Sequence, residues 1–341
     1  MTLKTREPSA KLAHIEACLN ADVEYQKSTG LEKYDFVNQA AKSISLQEID
    51  ISTRLLGKHL QAPLMIAPMT GGIERGLELN QRWARSAEHW QIAMSVGSQR
   101  IGLEDPSKAA FYQIRKHAPT TLIFGNIGAA QICRGFGIDE VKRAVEMIEA
   151  DAMFIHFNAM QEACQGGDVD FKDLHRKLAE MCSALKKLGV PVFAREVCFG
   201  ISPEAAIRLL DAGVDGIDCA GAGGTSWAKV EALCAKNDRQ RKLANCFGEW
   251  GIATATSILN VRSVSREIPL IATGGLRTGI DVAKVIALGA DLGAMARPML
   301  LAAYASEQAL FDFIEDVLAQ LRVCMFGAGA SSLKDLKTTL F

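Results

Sequence analysis

The stretch Ile271-Ala-Thr-Gly-Gly-Leu-Arg-Thr-Gly279 and the stretch Leu288-Gly-Ala-Asp-Leu-Gly-Ala-Met-Ala-Arg297 each combine a short apolar run with glycines and an arginine. That composition suits the gripping of a phosphate. Glycine lets backbone N–H groups come close to a ligand, a helix N-terminus adds partial positive charge, and a guanidinium adds a full one. In barrels of alternating strands and helices, the last two strand ends commonly make such a cradle. The two motifs therefore predict a phosphorylated cofactor or substrate lying against Gly274, Gly275, Arg277, Ala296 and Arg297.

Other polar groups recur in the same way, each just after an apolar run. They are Met69-Thr-Gly-Gly72, Gly97-Ser-Gln-Arg100, Asn126-Ile-Gly128 and Ile155-His-Phe-Asn-Ala-Met-Gln-Glu162. Two more follow, Arg195-Glu-Val-Cys-Phe-Gly-Ile-Ser202 and Gly221-Ala-Gly-Gly-Thr-Ser-Trp227. Turn chemistry accounts for any one of these taken alone. It does not account for hydrogen-bonding groups at almost every strand end, which instead point to a ligand site fed from all sides.

The elements that must position these groups are legible in the apolar pattern. Strand-like runs lie at Leu64–Met69, Ile92–Val96, Leu122–Asn126, Ala152–Asn158, Pro191–Val197, Gly216–Ala220, Leu270–Thr273 and Leu292–Ala296. Amphipathic helical patterns such as Ile138–Ala150, Asp173–Leu188, Pro203–Ala212 and Asp281–Leu288 fall between them. Near-continuous apolar strands alternating with helices imply a parallel sheet covered on its outside. Eight such strands fit a TIM (β/α)8 barrel, with an open doubly wound sheet as the rival. The absence of G-x-G-x-x-G after the first strand weakens that rival. Ser202-Pro203 and Thr278–Asp281 read as helix starts.

Two segments exceed a minimal barrel. Residues 1–60 form an N-terminal extension with an amphipathic stretch, Ala10–Leu19, and a strand-like Glu48–Ser52. A long insertion after strand six runs from Trp227 to Ile268, a connection of the kind that often serves as a functional lid. Its charged run, Lys236 to Lys242, reads as a solvated helix face.

The 341 residues, 49% hydrophobic, are enough for one large core, so the whole chain is expected to be a single domain. A net charge of -1 gives no electrostatic footprint for nucleic acid or an anionic membrane. Nine cysteines without CxxC spacing are expected to be reduced, mostly buried thiols. The absence of an apolar leader in Met1 to Thr29, and of a run of about 18 apolar residues, leads to the expectation of a cytoplasmic protein without a membrane span.

Taken in order, these motifs resemble the FMN-dependent type 2 isopentenyl diphosphate isomerases. The set includes Ile51-Ser-Thr-Arg-Leu-Leu-Gly-Lys58, His156-x-Asn-x-x-Gln-Glu162, Gly221-to-Trp227, Trp250-Gly-Ile-x-Thr254 and Gly274-Gly-Leu-Arg-Thr-Gly279. The likeness runs from about Lys11 to Met325. It implies a TIM barrel that interconverts isopentenyl and dimethylallyl diphosphate with reduced FMN and Mg²⁺, without net oxidation. NADPH is implied as reductant, and a homo-oligomer as the assembly. Carried over by position, flavin contacts come from Met69, Thr70, Gly71, Ser98, Asn126, Arg195 and Thr225, with the FMN phosphate in the cradle above. Lys11, His14, Ser98, Gln99 and Arg100 match diphosphate-holding positions, and Glu162 matches the Mg²⁺ ligand. Gln161, His156 and Asn158 match polar groups around the reacting alkene, and Trp227 would add a cation–π contribution of ~1–2 kcal/mol. The implied chemistry is proton addition and removal, passing through a tertiary cation in a dry pocket.

Four departures stand out. The family's Arg-Lys-x-x-His reads Ala10-Lys-Leu-Ala-His14, its strand-five lysine is Arg195, an arginine after the tryptophan falls near Cys234, and a His and Leu-Pro-Glu segment reads Asn38-Gln-Ala-Ala-Lys-Ser43. Two of these remove positive charge where a diphosphate binds, at ~1.5–3 kcal/mol for each lost charge-assisted contact. The alternative is therefore an FMN-binding homologue acting on a different substrate. A net-redox hydroxy-acid oxidase would need a histidine base near the late strands, yet none follows His175.

Overall fold

The computed structural model describes residues 8–336. Its centre is a closed barrel of eight parallel strands: β1 (Leu64–Ile66), β2 (Ala93–Ser95), β3 (Ile123–Gly128), β4 (Ala152–Phe157), β5 (Val192–Glu196), β6 (Gly216–Asp218), β7 (Leu270–Thr273) and β8 (Leu292–Met295). Each strand pairs with the next in the chain, and β8 closes on β1 with Ala294 opposite Met65. Every expected strand run overlaps one of these strands, and β3 runs two residues past its expected end at Asn126, to Gly128. All eight are buried over most of their length, because helices cover the outer face and side chains fill the inner one.

The inner filling is most apolar at the N-terminal ends of the strands. The Phe124 and Phe154 rings stack with centroids 4.4 Å apart, and Phe193 meets both edge-on. Leu55 and Leu60 join this cluster from an antiparallel hairpin, Thr53–Leu55 with Lys58–Leu60. Lys58 Nζ ties the hairpin to the carbonyls of Thr120 and Thr121 and, at 2.7 Å, to Asp151, just before β3 and β4. The strand expected at Glu48–Ser52 is instead a 3-10 turn, Leu46–Glu48, with a single bridge at Asp50. The hairpin that follows it caps the barrel.

Helix starts follow local capping chemistry. The Ser202 hydroxyl accepts from the Ala205 N–H at 3.1 Å and Pro203 takes the first turn, where no N–H is needed. Before the Gly279–Ala287 helix, Thr278 and Asp281 form a reciprocal capping box, with Thr278 as the cap. The insertion after β6 is three helices, Trp227–Leu233, Asp238–Cys246 and Thr254–Val264, rather than an open lid. The charged run lies largely exposed on the second of these.

The N-terminal extension laces over the opposite end. The Tyr25 N–H donates to Gly224 O at 2.8 Å and the Ser226 N–H to Val23 O at 2.7 Å, so the extension adds a short antiparallel bridge to the loop after β6. The Pro8–Asn20 helix is thereby held beside the C-terminal strand ends. No helix among the described residues is long and apolar enough to cross a membrane.

Candidate active site at the barrel mouth

The C-terminal strand ends, the Pro8–Asn20 helix and the Trp227–Leu233 helix enclose a cavity of about 1440 Å³. Ligand pockets typically span ~300–1,000 Å³, so this one has room for two molecules side by side. Its walls divide into three groups of residues.

The first is the cradle at the ends of β7 and β8. Gly274 and Gly275 have φ of 114° and 75°, and a Cβ on Gly274 would lie 2.0 Å from Gly221 O. Only glycine fits there, and the backbone is left open toward the cavity. Arg277 and Arg297 flank it, with Ala296 immediately before the Arg297–Ala305 helix. Arg297 Nε also donates to Cys18 O at 2.7 Å, fixing the C-terminal end of the Pro8–Asn20 helix. Between the two arginines lies Glu24, a residue the sequence did not single out. Its contacts span 253 and 273 positions of chain.

The second group lines the floor. Arg195 Nη1 bonds Asp218 Oδ2 and reaches Thr273 Oγ1 at 3.4 Å, and the Thr273 hydroxyl donates to Asp218 at 3.0 Å. The guanidinium carbon sits 5.6 Å from the Phe154 ring centroid. Burial pulls the Arg195 pKa down to about 10, so it stays protonated at neutral pH. The Arg195 that departs from the expected lysine is thus matched by a carboxylate. An acid inside the apolar run of β6 was the sequence signal for Asp218. Beside it, burial pushes Glu196 up from 4.5 to about 7, even though three backbone N–H groups and Arg195 favour its charged form. Thr70, Ser98, Asn126 and Met69 also face the cavity. The Asn126 amide donates to Val96 O at 3.2 Å and its carbonyl oxygen meets His156 Nδ1 at 2.7 Å.

The third group joins elements far apart in the chain. Gln161 Nε2 donates to Glu231 Oε1 at 2.7 Å, and His14 Nε2 lies 3.3 Å from the same oxygen. Trp227 meets the His14 ring edge-on at 5.4 Å. Glu231 is buried, and its position four residues after Trp227 on one helix was the only sequence signal for it. Asn158 Nδ2 donates to Glu162 Oε1 at 2.8 Å, while Glu162 Oε2 accepts from the Asp168 N–H at 2.9 Å and from Gln165. Lys11 Nζ bonds the Gly71 carbonyl and reaches Ser98 O and Tyr112 Oη at 3.3 Å each. Arg100 lies in the wall, 4.0 Å from Glu104.

Most of the expected site residues therefore meet at one cavity. Gln99 does not. It is fully buried, donating to Ala144 O at 2.8 Å and accepting from the Asn126 N–H at 2.9 Å, so its side chain ties the end of β2 to β3 and to the Ile138–Ile148 helix and lies outside the cavity wall. Gly71 serves through its carbonyl, and a Cβ there would strike Tyr112. Of the four departures, Ala10 and Cys234 line the cavity beside Arg195. The Asn38–Ser43 segment lies largely exposed on the surface and outside the cavity wall.

Two observations bear on a flavin mononucleotide in this mouth. Thr70 Oγ1 and Asn158 Oδ1 are buried in the wall without a hydrogen-bond partner, groups that a polar ring system can satisfy. The glycine cradle with two arginines suits its phosphate. The residues fit the group. For a divalent cation the protein supplies less: among the described residues there is no cluster of three or more His, Cys, Asp or Glu side chains. Glu162 alone would have to be completed by phosphate oxygens.

Over 96% of its length the chain is 48% identical to the isopentenyl-diphosphate delta-isomerase of a Nostoc species, covering 94% of that protein. The chain belongs to the isopentenyl-diphosphate delta-isomerase family. The family's Synechococcus member is 45% identical over 94% of this chain and 91% of its own length. The member from Methanothermobacter thermautotrophicus is 44% identical over 96% and 90%. The profile of the FMN-dependent dehydrogenase family matches residues 170–341, which span β5 to β8 and the cradle. Solved structures give the same fold at low identity. A lactate oxidase of Pediococcus acidilactici aligns at TM-score 0.65 and 18% identity, covering 98% of this chain and 90% of its own. A flavocytochrome b2 aligns at TM-score 0.66 and 17% identity, covering 96% and 82%.

Proposed function

We propose that the protein interconverts isopentenyl and dimethylallyl diphosphate by proton addition and removal at the barrel mouth, with FMN in its reduced form, Mg²⁺, and NADPH as reductant. Membership of the isomerase family supports this activity, and one observation carries it to these residues. His14, Gln161, Trp227 and Glu231 converge in the wall of the same cavity that holds the phosphate cradle. A phosphate grip and a polar cluster in one cavity of about 1440 Å³ leave space for a second, phosphorylated molecule beside the cofactor.

Reduced FMN, when bound, supplies an electron-rich ring and the proton donor and acceptor for the substrate's double bond. The cofactor's phosphate would lie against Gly274, Gly275, Arg277, Ala296 and Arg297, and its ring against Met69, Thr70, Gly71, Ser98, Asn126 and Thr225. Arg195 would provide a fixed positive charge that favours the reduced, anionic ring, held in one orientation by Asp218. Ser98, Lys11, Arg100 and His14 would hold the substrate diphosphate. Glu162 would share Mg²⁺ with its oxygens, since Oε1 has a single donor and keeps a lone pair to offer. Asn158, held by that same carboxylate, and His156, held by Asn126, orient polar groups toward the alkene. Trp227 closes the pocket against water, which would otherwise capture a cation. Glu231 keeps Gln161 and His14 aimed inward, because its buried carboxylate needs both partners.

We extend this reading to a cytoplasmic homo-oligomer, for which the exposed side chains of Leu233, Leu243 and Trp250 offer apolar surface. The absence of any histidine after His175 favours the isomerase over a net-redox hydroxy-acid oxidase. The test is turnover of isopentenyl diphosphate by the purified protein with FMN and Mg²⁺, reduced by NADPH or dithionite, against an oxidised control. Dimethylallyl diphosphate formed only under reducing conditions is the expected result. A flavin-loaded protein inactive in both arms would redirect the assignment to a different substrate.

A further inference from the structure

Glu24 already bridges the cradle in which a cofactor phosphate is expected. Its Oε1 accepts from Arg297 Nη1 at 3.0 Å and its Oε2 from Arg277 Nη2 at 2.8 Å. A carboxylate spanning two guanidiniums uses the donors that a phosphate would use. The backbone of Glu24 has little freedom to carry the charge away. Bonds from Tyr25 and Ser226 bracket it, and Lys229 Nζ donates to its carbonyl at 2.6 Å. Movement must come from the side chain, which is about one third exposed and has room to rotate toward solvent.

We propose that Glu24 is a built-in competitor for the cofactor's phosphate. Its carboxylate has to leave Arg277 and Arg297 before a phosphate monoester can engage both, so it sets cofactor affinity and keeps loading reversible. Two anions cannot share the pair of arginines without strong repulsion. The dianion has the greater charge and displaces the carboxylate. A flavin without a phosphate leaves the carboxylate bridge intact. The inference rests on reading the mouth as a flavin mononucleotide site.

The experiment titrates FMN and riboflavin into full-length apoprotein, wild type and Glu24→Gln, and follows flavin fluorescence. Glutamine keeps the shape and removes the charge; melting curves check the fold, and Glu24→Ala provides a second variant. The expected result is FMN bound about threefold to thirtyfold more tightly by the variants, the range that follows from displacing two partly exposed ion pairs. Riboflavin affinity stays unchanged, and the FMN difference narrows at high salt. Unchanged or weaker FMN binding in Glu24→Gln would overturn the proposal and make Glu24 a support for the arginines. Equal tightening of riboflavin would overturn it as well. If neither protein binds either flavin, the cofactor reading of the mouth falls and the competitor role falls with it.

Discussion

At the lower end of the barrel, Phe124, Phe154 and Phe193 fill the interior while Leu55 and Leu60 of the hairpin join them from outside the strands. A few residues further up the barrel, Asn126, Asn158, Arg195 and Asp218 are also buried, and apart from the Phe154 ring beside Arg195 the contacts that define them are polar. The same strands make both regions. The lower contacts are non-directional and tolerate exchange of one apolar shape for another. The upper contacts come in pairs, so losing one partner leaves the other buried and unsatisfied. Stability is therefore concentrated below and specific chemistry above, with Arg195 at the join, its guanidinium against Phe154 and its charge on Asp218.

The sharpest way to break this division is to cut into each end and read both stability and function. Phe124→Ala should cost about 3–5 kcal/mol of unfolding free energy in urea while the folded fraction keeps its flavin affinity. Loss of flavin binding in the folded fraction would show that the lower end shapes the mouth.

At the join, Asp218→Leu should cost a similar ~3–5 kcal/mol, because it strands a buried guanidinium. Adding Arg195→Met should recover part of that stability without restoring flavin affinity. If the double variant is as unstable as the single, the ion pair is not what makes the loss.

In the mouth proper, Glu162→Gln should leave the melting temperature within a few degrees and lower turnover about 100-fold, with a higher Mg²⁺ requirement. Equal losses of stability and turnover would make Glu162 a packing residue.

The last effect concerns pH. The unfolded Glu196 carboxyl loses its proton near 4.5, whereas the folded one keeps it to about 7. The folded state thus binds more protons across that window, and stability falls as pH rises from about 4.5 to 7. Glu196→Gln should flatten that slope in urea midpoints taken across the window, whereas a slope that persists in the variant belongs to other groups.

The two ends also differ in how far the sequence discloses them. The barrel strands are legible because each is an apolar run with a helix pattern behind it, and Leu270–Thr273 matches to the residue. The capping hairpin was misread as Glu48–Ser52, since its leucines turn inward only once eight strands have closed around them. At the mouth, residues with local motifs such as Gly274, Arg277 and Asn158 were recoverable. Glu24, Asp218 and Glu231 were not, because each acquires its meaning from a partner brought near by folding. Gln99 erred in the other direction: its motif neighbours Ser98 and Arg100 line the cavity, yet its own side chain points back to Ala144.

The most direct measurement is to run the reaction in D₂O with reduced FMN and follow products by NMR while recording the flavin spectrum. An isomerase acting by proton addition and removal should place deuterium in dimethylallyl diphosphate, and leave the flavin reduced after many turnovers. Oxidation of one flavin per product formed, or product free of deuterium, would contradict it.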